Sequence, residues 1–111
     1  MNISEELKKN EAKKFKENNG LVLRTIIMFH RRGYFTLKDL FNNLLAYEIS
    51  KDEILCAIDY LEDEGMIEAR MITTKELIHP CDAEENEIEI RVRSNGQLVL
   101  HNVIDNPGIE L

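Results

Sequence analysis

Apolar residues recur at intervals of three and four in three stretches of this chain, and at every second position in a fourth. Leu23, Ile26, Ile27 and His30 share one face of the segment Leu21–Arg32, with Val22 and Phe29 flanking it. Leu37, Leu40, Phe41, Leu44 and Leu45 do the same in the next stretch, and Ile54, Ala57, Ile58 and Leu61 in the third, with Leu55 on the edge. These periods predict three amphipathic helices. In Glu87–Arg93, Ile88, Ile90 and Val92 alternate with Glu87, Glu89, Arg91 and Arg93, which predicts a strand with one buried face.

The helix ends are written in the same residues. Gly33 closes the first helix behind Arg31 and Arg32, whose cations suit the negative end of its dipole. Thr36, with Asp39 three residues on, opens the second. Ser50 and Glu53 form a capping box for the third, each satisfying a backbone amide of the other. Gly65 supplies the left-handed residue that ends that helix, and Met66-Ile67 begins an extended run.

Around these helices the chain places shorter pieces. Tyr34-Phe35 is extended and suited to pair with a later strand. Ile67–Ile78 is β-prone until His79-Pro80-Cys81-Asp82 breaks it, so it forms a hairpin with Glu87–Arg93 around the acidic tip Asp82–Asn86. Gln97–Ile104 reads as a short helix that offers Leu98, Val99, Val103 and Ile104 for burial and stops at Asn106-Pro107-Gly108. Residues 4–17 are helix-prone but carry only a thin stripe of Ile3, Leu7 and Phe15, and Asn18-Asn19-Gly20 is a breaker. The expected organisation is a basic, helical or frayed arm over residues 1–19 and one domain over 20–111. The expected fold is α+β and mainly helical: a winged helix-turn-helix with a three-helix core, a two-stranded wing and a short C-terminal helix.

Ser50-x-Asp52-x-Ile54, Ile58, Tyr60-Leu61 and Gly65-Met66-Ile67, with Gly96 and a later Pro107-Gly108-Ile109, resemble the pattern of small winged-helix proteins of Mu-like prophages. The resemblance spans roughly residues 20–111. It implies a fold and a phage or mobile-element context, and no defined biochemical role. Here the wing loop is longer and more acidic, and Leu55 stands where that pattern often has a basic residue.

Charge changes the functional picture. The net charge is −7, but residues 1–32 hold eight Lys/Arg against four Glu, and residues 33–111 hold six against seventeen acidic residues. A protein this acidic lacks long-range attraction for phosphates. In a DNA-reading winged helix, the exposed face of the third helix needs donors for base edges. At about 100° per residue, that face here is Asp52, Cys56, Asp59 and Asp63, with Glu53 and Tyr60 beside it; Lys51 is the helix's one basic residue. Asp52, Cys56, Asp59, Tyr60 and Asp63 are therefore the candidate partner-docking face. If DNA is bound, Lys38, Lys51, Arg70, Arg91 and Arg93 are the candidate phosphate contacts, although Arg91 and Arg93 are also placed to pair across the ladder with Glu68 or other acidic neighbours.

Other chemistry finds little footing. No glycine-rich phosphate loop or nucleophile–base pattern appears, so neither an enzyme nor a cofactor is expected. His79, Cys81 and Asp82 fall short of a zinc ligand set. Two cysteines make no disulfide framework. No apolar run reaches about 20 residues and no signal peptide is read, so a cytoplasmic protein with reduced thiols and no membrane contact is expected. The expected function is a non-enzymatic winged-helix module that docks a protein partner or a second copy of itself in a homodimer, the basic arm of one protomer meeting the acidic third helix of another. The alternative is a DNA-binding regulator or replication accessory using wing and arm.

Overall fold

The computed structural model describes residues 3–29, 33–101 and 104–111, leaving aside the side chains of Phe29 and Cys81. It is an α+β fold, about 58% helical, with four α-helices and a small three-stranded antiparallel sheet among those residues. The order is α1 (Ile3–Phe29), β1 (Phe35–Thr36), α2 (Leu37–Leu44), α3 (Lys51–Asp63), β2 (Ile67–Met71), β3 (Ile88–Val92) and α4 (Ser94–Leu100).

Local sequence explains most boundaries. The Thr36 hydroxyl accepts from the Asp39 amide and opens α2. Ser50 and Glu53 complete the capping box of α3 in both directions. Gly65 takes φ 69° behind that helix, a conformation that costs a glycine little. Between α2 and α3, Leu45–Tyr47 tighten into a 3-10 turn that ends on left-handed Glu48.

The core is shared by Val22, Leu23 and Ile26 of α1, Leu37, Leu40, Phe41 and Leu44 of α2, Ile54, Ala57, Ile58 and Leu61 of α3, and the inner side of the sheet, where Ile67, Ala69, Ile88 and Ile90 are buried. Val22 is fully buried and Ile27 only partly, so the buried face of α1 is turned slightly from the expected one. Leu45, expected in the core, is exposed because the 3-10 turn swings it outward. In the sheet, β3 lies centrally: Phe35 pairs with Ile90 and Ile67 with Val92.

Three further expectations are overturned. Residues 18–20 do not break the first helix: α1 runs through them without interruption, held by long-range contacts described below. The strand expected to reach Ile78 ends at Met71. There Lys75 turns with φ 64°, Leu77 returns to bridge Arg70, and Pro80–Asp82 coil into a 3-10 turn against α3 instead of extending a wing. The last helix begins earlier than expected, at Ser94, and ends at Leu100; Ile104 is exposed, Leu98 half-exposed, and Val103 lies outside the described residues. Arg31, Arg32 and His30 also lie outside them.

Candidate docking surface on the third helix

The capping box fixes where α3 begins and its apolar stripe fixes which side is buried; the carboxylates are then left on the outer side. Asp52, Cys56 and Asp63 are exposed there, and Asp59 and Tyr60 are half-buried. These five residues thus lie on the outer side of α3, and parts of the same chain flank it on two sides.

On one flank lies the middle of α1. Lys14 Nζ sits 3.0 Å from Glu53 Oε2, and the Asn18 amide donates to the same oxygen at 3.1 Å. Phe15 meets Tyr60 edge-on, with ring centroids 5.3 Å apart and planes 79° apart. The Lys14 ammonium, then the Ser50 amide and the Asn18 amide, hold the Glu53 carboxyl down at about 2. Lys14, Phe15 and Asn18 of the expected arm thus touch the third helix of their own chain. Glu11, Lys14, Phe15, Asn18 and Cys56 line the shallow groove left between the two helices.

The C-terminal tail locks this packing. Asn19 is fully buried and its amide donates to the Gly108 carbonyl at 2.8 Å, while the Glu110 amide donates to the Lys16 carbonyl at 3.1 Å. The Tyr60 hydroxyl donates to Asn106 Oδ1 at 2.5 Å. Burial, and then the neighbouring Glu64 carboxylate, push the Tyr60 hydroxyl above its ordinary pKa, so it stays protonated as a donor.

On the other flank lies the loop between β2 and β3. His79 Nε2 is 3.4 Å from Asp59 Oδ1, Pro80 is buried, and Lys51 Nζ reaches Glu85 Oε2 at 3.1 Å while lying 5.3 Å from the Phe41 ring centroid. The Lys38 amide donates to the Glu85 carbonyl at 3.2 Å.

The five candidate phosphate contacts do not come together as a free basic patch. Lys51 is paired with Glu85. Arg70 Nε lies 2.6 Å from Glu89 Oε1, which also takes Lys75 at 3.2 Å. Arg91 pairs with Glu68 across the ladder, and Arg93 lies 3.9 Å from the other oxygen of that carboxylate. Among the five, the Lys38 ammonium alone has no carboxylate partner among the described residues. Tyr34 completes the cluster, a residue whose role the extended dipeptide Tyr34-Phe35 did not disclose. Its hydroxyl donates to Glu68 at 2.9 Å, and the Arg70 guanidinium lies 3.4 Å from its ring centroid.

Around His79 and Asp82, no group of three or more His, Cys, Asp or Glu side chains among the described residues is placed to hold a metal ion. No described helix is long and apolar enough to cross a membrane. No family model, curated protein or solved structure matches the chain.

Proposed function

We propose that this chain is a winged-helix module of phage or mobile-element type that works without catalysis, by docking a protein through the acidic outer side of α3, and that it does not read DNA. The hairpin β2–β3 following a third helix, with β1 completing the sheet, supports the winged-helix reading, as does the prophage-like spacing from Ser50 to Ile67. The observation that carries the functional part is how α3 is surrounded. Its outer side is carboxylate-rich, its flanks are occupied by α1 and by the 72–87 loop, and four of the five cations nearest to a duplex-binding role are paired with carboxylates. Releasing those cations to phosphate would strand Glu68 and Glu89 on the sheet and place α3's own carboxylates against a polyanion. A basic or mixed protein surface faces neither penalty.

Titration of random-sequence duplex DNA with the full chain at low salt tests this reading. No association is expected. Micromolar binding that weakens steeply as salt is added would overturn it.

A further inference from the structure

Asn19 is fully buried in the middle of α1, yet only one end of its amide is used. The nitrogen donates to the Gly108 carbonyl at 2.8 Å. A carbonyl can only accept, so the nitrogen must face the tail and the oxygen must face the other way. That oxygen, Oδ1, is closed to solvent and has no hydrogen-bond partner among the described residues. A buried acceptor in this state is held at a cost that a donor would remove.

Asn19 lines the groove between α1 and α3, which has mostly apolar walls and a volume of about 190 Å³. Small-molecule sites run to roughly 300–1,000 Å³, so this one suits a single side chain. Half-buried Phe15 gives it an aromatic wall from α1, and exposed Cys56 a small one from α3. An incoming ion is poorly served here. A cation would meet the Lys14 ammonium, and the Glu53 carboxylate is already taken by Lys14 and Asn18. An anion would meet Glu11 and Glu53. Either would give up its water for a neutral amide oxygen. What fits is a flat, apolar, uncharged group with one donor. The indole of tryptophan has an N–H that only donates, whereas a tyrosine hydroxyl would bring an acceptor needing a donor of its own.

We infer that the groove between α1 and α3 receives a tryptophan side chain of the docked protein, its ring against Phe15 and Cys56 and its indole N–H donating to Asn19 Oδ1. This rests on the docking reading above and gives the partner its anchor. Glu53 and Cys56 belong both to α3 and to the groove, so a protein lying on the outer side of α3 reaches it. A turn of the half-buried Asn18 side chain opens the floor to the donor. The chain has no tryptophan, so the ring comes from a different protein and not from a second copy.

Titrating N-acetyltryptophanamide with the full chain tests it, because indole emission is then read without a tryptophan background from the protein. The emission should shift to shorter wavelength and saturate, with a Kd on the order of a millimolar or tighter. The same probe methylated on the indole nitrogen cannot donate and should bind about tenfold more weakly or worse. Cys56→Leu, at an exposed position, should fill the groove and weaken binding by a similar factor, with circular dichroism showing helix content retained. A response that never saturates overturns the inference, as does equal binding of the methylated probe or equal binding by Cys56→Leu. A chain that ignores both the probe and duplex DNA overturns this inference and leaves the docking reading standing, whereas DNA binding strikes at the docking reading itself.

Discussion

The carbonyl oxygen of Glu110 occupies the space beside Gly20 where a β-carbon would stand: a methyl group built there would meet it at 2.0 Å. This close approach explains why α1 passes through Asn18-Asn19-Gly20. Asn19 and Gly20 are fastened to the tail and Asn18 to α3, so long-range contacts outweigh poor local helix propensity.

Gly20→Ala should therefore destabilise the chain by about 1–3 kcal/mol, because the clash with backbone exceeds the helix-propensity gain of up to about 1 kcal/mol. In a chain lacking residues 106–111 the same substitution should stabilise α1. Urea denaturation of the four proteins checks the reversal of sign. The same sign in both backgrounds would mean that the tail does not lie on Gly20.

Glu53 should give stability a distinctive acid limb. Its folded pKa of about 2 lies below its ordinary value of 4.5. Its contribution is then fully present above pH 4.5 and is lost as pH falls through the folded value. Glu62 works in the opposite sense, since burial raises its pKa: its ionisation takes stability away as pH rises above the ordinary carboxylate range. The two are separated by comparing the wild type with Glu53→Gln in denaturation between pH 2 and 6. The variant should show a shallower fall toward low pH. Lys14→Ala should raise the Glu53 titration midpoint by NMR, because the Lys14 ammonium is the largest single cause of the depression.

Much of this was legible along the chain. The Ser50–Glu53 box, the Thr36 cap, the Gly65 terminus and the Ile88/Ile90 alternation are local signals read by neighbours within four residues. The outward placement of Asp52, Cys56 and Asp63 follows from the apolar stripe opposite them. What escaped has distant causes. Asn19 owes its burial to Gly108, 89 positions away, and Lys14 finds Glu53 only once α1 and α3 are packed. β2 ends early because Leu77 turns back to Arg70 and the loop beyond folds onto α3, whereas a run of β-prone residues shows no reason to stop before Pro80.

On the outer side of the sheet, Glu89 holds Arg70 and Lys75 together. Burial pushes its carboxyl up, but hydrogen bonds from Arg70 and Lys75 pull it below the ordinary value. Glu89→Ala should cost about 1–3 kcal/mol in thermal or chemical denaturation, since it leaves Arg70 half-buried over Tyr34 with no carboxylate. A loss within about 0.5 kcal/mol would place this pair among ordinary surface ion pairs.

Tyr60→Phe removes the hydroxyl that holds Asn106 while leaving the ring on Phe15. The expected loss is about 1 kcal/mol, with faster proteolysis of the tail. Gly108→Ala should be worse, because its added methyl would lie 2.2 Å from the Tyr60 ring.

Whether α3 is covered by its own chain decides between a docking surface and a groove-reading helix, and amide hydrogen exchange over residues 11–20 measures it most directly. With α1 seated on α3 and pinned by the tail, the amides from Phe15 to Gly20 should be protected to nearly the same degree as those of Ile54–Leu61. Exchange over 11–20 at the rate of an unstructured peptide, while α3 remains protected, would contradict that packing and leave the third helix open along that flank.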